Sequence, residues 1–183
     1  MKILNRICRN QELRAKLEES RPRLYRVAYS WCHDPALADD LTQETLAKAL
    51  RYSGQLRDPN AVHTWLFSIL TNCWRDHFRR SRDMVDIDDI AFVDEITPEI
   101  NQDRAEVIGR VRAAITTLPM GQRQVLTLVD LEGLSYIEVA QVLSVPIGTV
   151  MSRLCRARRA LKERLLQADS AGTAEVSRIR RVK

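Results

Sequence analysis

One stretch, Leu118 to Arg159, limits the possible folds more than any other: LPMGQRQVLTLVDLEGLSYIEVAQVLSVPIGTVMSRLCRARR. Ser135 is followed three residues later by Glu138, a capping box that predicts a helix starting at Tyr136. Ile137, Val139, Ala140, Val142 and Leu143 supply its apolar positions. Ser144-Val145-Pro146 interrupts the helix, because proline lacks the interior donor yet suits a first helical turn. A second helix is therefore predicted from Pro146 or Ile147, with Val150, Leu154 and Leu161 inward at helical spacing. Its other face carries Thr149, Ser152, Arg153, Arg156, Arg158, Arg159 and Lys162. Two short helices joined in this way form a helix-turn-helix, whose second helix enters the major groove while flanking cations meet phosphate. An arginine-rich helix end also reads as a solvated face favoured by the macrodipole. Six basic residues against the single Glu163 between Ile147 and Arg164 weigh for a polyanionic partner instead.

Charge is unevenly distributed over the 183 residues. The chain carries a net +5, yet Arg82 to Glu106 holds nine acidic residues against two arginines, leaving +12 elsewhere. Two basic bodies joined by an acidic strap is the simplest reading. Scarce glycine and few aromatics favour an all-α fold over a β-sandwich. The four cysteines, Cys8, Cys32, Cys73 and Cys155, form no CxxC pair, which points to a reduced, cytoplasmic protein. His33 beside Cys32 and His77 near Cys73 match no structural zinc spacing, so no metal and no cofactor is expected. Met1 to Asn10 lacks the apolar core of a secretory signal, and no apolar run approaches membrane-spanning length.

Along the chain, residues 1 to 20 predict a short helix ending near Ser20-Arg21-Pro22. A second helix follows over Arg23–Cys32, with Leu24, Val27, Ala28 and Trp31 on one face. Asp34-Pro35 predicts an N-cap and first residue for a helix running to Arg51, with Leu37, Leu41, Leu46 and Leu50 inward. Tyr52 to Asn60 reads as a loop, and Ala61 to Arg80 as a long helix with Val62, Trp65, Leu66, Ile69, Leu70 and Cys73 buried. Helix resumes near Ile100 and stops at Leu118-Pro119. Gln122 to Asp130 forms the helix before the helix-turn-helix.

Two further features lie in the first half. The long helix also presents His63, Thr64, Ser68, Asn72, Arg75, Asp76, Arg79 and Arg80. Aromatic, amide and basic groups together suit single-stranded nucleic acid, because bases stack on rings while arginines track phosphates. Alone the signal is weak, since Trp65 and Trp74 are more often core residues. Asp39-Asp40-Leu41-Thr42-Gln43-Glu44 is either a solvated face or a docking surface for a polar or basic partner helix.

In this order, ADDLTQETLAKAL, HTWLFSILTNCWRD and the LP…GLSYIEVAQVL…VPIGTVMSRLCRARRAL block resemble the extracytoplasmic-function class of sigma-70 factors, over roughly Arg23 to Leu166. The resemblance implies a sigma-2-like helical bundle over residues 1–82 and an acidic flexible linker over 83–105. It also implies a sigma-4-like helix-turn-helix domain over 106–168, with a basic disordered tail over 169–183. Asp39, Asp40, Gln43 and Glu44 would grip the largest subunit of core RNA polymerase, with the second-largest subunit also engaged. His63, Trp65, Asn72, Arg75 and Arg79 would capture the melted −10 element, Asn72 bordering a pocket for a flipped base. Thr149, Met151, Ser152, Arg153, Cys155, Arg156 and Arg158 would read the −35 element. Met151 departs from relatives that place Arg or Lys there; a methionine cannot make the bidentate guanine contact but can touch a thymine methyl. The linker would thread the RNA exit path, and an anti-sigma factor would hold the protein inactive. No enzymatic constellation appears. The rival readings are a stand-alone helix-turn-helix activator, which leaves the first two blocks without purpose, and a decoy that sequesters an anti-sigma factor, which should lack the DNA-reading arginines.

Overall fold

The computed structural model describes the backbone of residues 2–56, 58, 61–84, 109 and 111–179, and side chains between 13 and 80 and between 109 and 166 within them. Every regular element among these residues is helical. The acidic strap expected over 83–105 lies almost wholly outside them.

The first helix, α1, runs unbroken over Lys2–Cys32, with Pro22 inside it. The sequence reading placed a helix end there. A mid-helix proline costs about 3 kcal/mol through its lost hydrogen bond and its clash with the preceding turn. The apolar stripe explains why the helix continues: Leu13, Leu17, Leu24, Val27, Ala28 and Trp31 are all buried, at a spacing that passes straight through Pro22.

Helix α2, Pro35–Arg51, starts as expected: the Asp34 carboxylate accepts from the Ala36 and Leu37 amides at 2.8 and 3.1 Å. Its buried face is displaced from the expected one. Ala38, Leu41, Thr42, Thr45 and Ala49 point inward, while Leu37 and Leu46 are half-buried and Leu50 is 46 % exposed. Small side chains at 38, 45 and 49 let α2 lie close against α1 and α3, and the Thr42 and Thr45 hydroxyls satisfy themselves on the Ala38 and Leu41 carbonyls. A 3₁₀ turn at Ser53–Gln55 leads toward α3, Val62–Met84. Val62, Leu66, Phe67, Leu70, Cys73 and Trp74 form its buried side, and Trp74 meets Trp31 edge-on at 6.2 Å.

In the second unit a helical stretch over 111–116 ends at Leu118-Pro119. Helix α4, Met120–Leu126, then widens into a π-helical turn at Thr127–Leu131, where an uninterrupted α-helix was expected. Helix α5, Tyr136–Leu143, opens on the predicted capping box: the Ser135 hydroxyl accepts from the Glu138 amide, and the Glu138 carboxylate accepts from the Ser135 amide at 2.8 Å. Helix α6, Ile147–Ile179, buries Val150, Leu154 and Ala157, with Leu161 half-buried. It continues past Ala168, where the sequence reading placed a disordered tail. Extending a formed helix adds a hydrogen bond per residue without a new nucleation cost, and Ala168, Ala171, Ala174 and Glu175 are good formers. Ile137, expected inside, is 62 % exposed.

The two units share one apolar cluster, continuous from Leu13 of α1 to Ala157 of α6.

Candidate nucleic-acid interface

On α3 the geometry separates the expected residues into three groups. Trp65, Asn72 and Arg79 recur every seven residues and so share one stripe. Asn72 and Arg79 are exposed and Trp65 is half-buried. The stripe thus offers a ring, an amide and a guanidinium in line, the set that suits unstacked bases on a phosphate backbone. Thr64, Ser68 and Arg75 form a neighbouring stripe, and this one faces the second unit. Thr64 Oγ1 donates to Glu138 Oε1 at 3.1 Å, and the Arg75 guanidinium donates to the Leu143 carbonyl. His63 is not brought to either. At 3.6 residues per turn it sits roughly 160° from Trp65. Its pKa lies below the ordinary 6.5, first because burial disfavours the imidazolium and then because Arg23 repels it, with Glu19 and Glu132 opposing more weakly. His63 belongs to the seam between the units rather than to the stripe of Trp65, Asn72 and Arg79.

The α2 group holds together. Asp39 pairs with Arg21 at 3.2 Å and accepts from the Gln43 amide at 2.8 Å, one turn along. Glu44 pairs with Lys48 at 2.9 Å, and Lys48 reaches Asp76 of α3 at 3.6 Å. Asp40 and Gln43 are exposed. The patch is acidic, solvent-facing and rigid along one side of a helix, which suits a basic or polar helical partner.

On α6 the buried stripe of Val150, Leu154 and Ala157 fixes what faces outward. Ser152, Cys155, Arg156 and Arg159 lie opposite it and are exposed. Met151 flanks them at 53 % exposure. The remaining expected readers lie off this face or are paired within the fold. Arg153 folds back over α4, its guanidinium carbon 3.0 Å from where a Cβ on Gly121 would stand. Arg158 makes a two-bond fork to Asp130 in the π turn, at 2.5 and 3.1 Å. Thr149 is half-buried, its carbonyl accepting from Ser152. The outward face is therefore narrower than the sequence implied: an apolar thioether, a hydroxyl, a thiol and two free arginines.

Sequence reasoning missed Arg123. This arginine is buried beneath the junction of the two units. Its Nη1 donates to the Trp31 carbonyl at 2.7 Å, and its Nη2 reaches the Thr116 carbonyl and, at 3.1 Å, the Leu118 carbonyl. Nothing in its local sequence separates it from a surface arginine; only the packing of α4 against α1 does.

Two family descriptions match the chain, Sigma-70 region 2 over residues 17–83 and Sigma-70, region 4 over residues 108–161. Together they cover the helices that carry all three patches. The chain is 38 % identical over 145 residues to the RNA polymerase sigma-H factor of Pseudomonas aeruginosa, spanning 73 % of this chain and 75 % of that one. It is 35 % identical over 150 residues to the ECF RNA polymerase sigma factor EcfG of Rhodopseudomonas palustris, spanning 82 % of each. Among solved structures it resembles the sigma factor RpoE of Bartonella quintana, crystallised with the anti-sigma factor NepR. The TM-score there is 0.69 and the identity 27 %, over 85 % of this chain and 97 % of that one. It also resembles CnrH in complex with the cytosolic domain of CnrY, with a TM-score of 0.59 and 28 % identity over 87 % and 88 %. The chain belongs to the extracytoplasmic-function (ECF) class of the sigma-70 family of RNA polymerase sigma factors.

Proposed function

We propose that the protein is a non-catalytic, cytoplasmic initiation factor that binds core RNA polymerase and selects promoters through two separate DNA elements. The observation that carries this reading is the pairing of two outward stripes on two matched regions. Trp65, Asn72 and Arg79 on α3 suit melted −10 DNA. Ser152, Cys155, Arg156 and Arg159, with Met151 beside them, suit the −35 major groove. The acidic face of Asp39, Asp40, Gln43 and Glu44 serves the largest polymerase subunit, with the second-largest subunit completing the assembly. On this reading residues 1–82 form the polymerase and −10 domain, 83–105 the linker and 106–168 the −35 domain. Of the two structural relatives, one is solved with the anti-sigma factor NepR and the other with the cytosolic domain of CnrY. Control of this chain by an anti-sigma partner follows from that likeness.

Met151 in place of a cation replaces a bidentate guanine contact with one to a thymine methyl. The −35 element should therefore tolerate loss of a guanine opposite Met151 and lose activity when a thymine there becomes uracil.

Run-off transcription with purified core polymerase and a genomic promoter library tests the whole reading. New transcripts sharing two upstream elements support it. Duplex binding by the protein alone, with no transcript, would support the activator instead. Silence with retained anti-sigma binding would leave the decoy.

A further inference from the structure

Gly121 stands where the local rules favour another residue. It lies in the first turn of α4, in ordinary helical backbone; the positive φ that calls for glycine occurs at Gly133 and not here. Inside a helix glycine is less favourable than alanine, because it gives up more backbone freedom on folding. Its surroundings supply the reason. A Cβ on Gly121 would meet three atoms of one side chain: Arg153 Cζ at 3.0 Å, Nη1 at 3.1 Å and Nε at 3.2 Å. At Gly54, Gly109, Gly133 and Gly148 a Cβ would meet nothing within 4 Å. The missing side chain thus leaves a shallow seat on α4, and the flat Arg153 guanidinium lies in it.

The seat decides where a cation goes. Around α6, at 3.6 residues per turn, Arg153 stands about 100° from Ser152 and about 60° from Arg156. It is rooted at the edge of the outward face, from which a long arginine side chain can turn either way. On the outward side it would join Arg156 and Arg159, which are exposed. Turned toward α4, which packs against α6, it is half-buried. Arg158 is withheld by the Asp130 carboxylate, whereas among the described residues Arg153 has no such ion pair, and packing on α4 holds it.

We propose that Gly121 is a positioning residue for the −35 interface: its seat draws the Arg153 guanidinium onto α4 and keeps that cation off the DNA. A phosphate contact strengthens binding to every sequence and reads none. The seat therefore limits the sequence-independent grip of α6 and leaves recognition to Met151, Ser152, Cys155 and Arg156. The DNA half of this proposal rests on the function proposed above; the seat itself does not.

The test uses the full chain and two probes. One is a mixed-sequence DNA duplex titrated at several salt concentrations. The other is phenylglyoxal, which modifies accessible guanidinium groups, with peptide mapping to follow Arg153 against Arg156. Gly121→Leu fills the seat with a good helix former. It should speed modification of Arg153 several-fold relative to Arg156. It should also tighten duplex binding about threefold or more at low salt and steepen the slope of log K against log salt by about one. Gly121→Ala, whose single methyl displaces the guanidinium less, should move both readouts the same way and by less. Adding Arg153→Gln to Gly121→Leu should return the slope to the parent's. Unchanged modification of Arg153 in Gly121→Leu would overturn the seat. Faster modification with an unchanged slope would overturn its control over DNA. A double variant that keeps the gain would assign it to the leucine, and one that falls below the parent would show Arg153 already on phosphate; either overturns the proposal. If neither the parent nor Gly121→Leu binds duplex at low salt, the −35 reading fails and takes the DNA half with it, while the modification arm still decides the seat.

Discussion

Single residues divide here between groups that face solvent and groups that the fold has already engaged. Among the three cysteines with described side chains, Cys155 is exposed on the outward face of α6, while Cys32 and Cys73 are buried. Burial pushes the Cys32 thiol up to about 11 and raises Cys73 as well, so both stay protonated and unreactive at neutral pH. In a Cys8→Ser background, one thiol per native chain should react rapidly with a disulfide reagent, and Cys155→Ser should abolish that phase. Two fast thiols would place Cys32 or Cys73 in contact with solvent. Arg158 shows the same division among cations. Its fork to Asp130 holds it to the π turn and raises its pKa further. Asp130→Asn should free it for phosphate, strengthening −35 duplex binding at low salt and steepening the slope of log K against log salt by about one. If the slope stays put, the fork does not withhold Arg158 from DNA.

Elements were legible in the sequence where their signals are local, and less so where packing decided. The Asp34-Pro35 start of α2 and the Ser135–Glu138 capping box are side-chain to backbone bonds within four residues, and both form as read. Pro22 is the opposite case: its local rule says stop, yet a buried stripe on both sides of it holds α1 together. The π turn at Thr127–Leu131 has no local signature, and neither has the burial of Arg123, which is set by its bond to the Trp31 carbonyl 92 residues away. In the candidate site, α3 and α6 were identified correctly as elements, but their faces were read too broadly. Helical spacing alone would have separated His63 from Trp65, whereas the turn of Arg153 toward Gly121 and the pairing of Arg158 with Asp130 needed the fold. The break between α5 and α6 also carries a cost. Ser144 sits at φ 52°, in the left-handed region that costs a residue with a Cβ about 1 kcal/mol or more. Ser144→Gly should therefore raise stability by about 1 kcal/mol in urea unfolding, and Ser144→Val should lower it by at least as much. A destabilising Ser144→Gly would mean that the serine hydroxyl outweighs the backbone strain.

At the scale of the whole molecule, the seam decides whether two domains behave as two. One apolar cluster spans both units, and among the described residues charged and polar groups cross it at five places. His63 lies among them, facing Arg23, Glu19, Glu132 and Lys16. Because its folded pKa is depressed, the unfolded chain binds the proton more readily. Its contribution is thus intact above about pH 6.5 and is lost as pH falls through that value toward the folded one. The protein should lose stability between pH 7.5 and 5.5, and His63→Gln should lose measurably less over the same range; equal losses would remove His63 from the seam's pH response. Cooperativity is the broader test. Units tied only by a flexible strap unfold independently, in two transitions or with a calorimetric enthalpy above the van't Hoff value. Units that share a core and cap one another's helices should unfold together, in one transition with the two enthalpies equal. Glu132→Arg should then split that transition, because each unit keeps its own helices and most of its own core once the seam is lost. Two transitions in the parent protein would show that the shared cluster is too weak to couple the units, however many hydrogen bonds cross it.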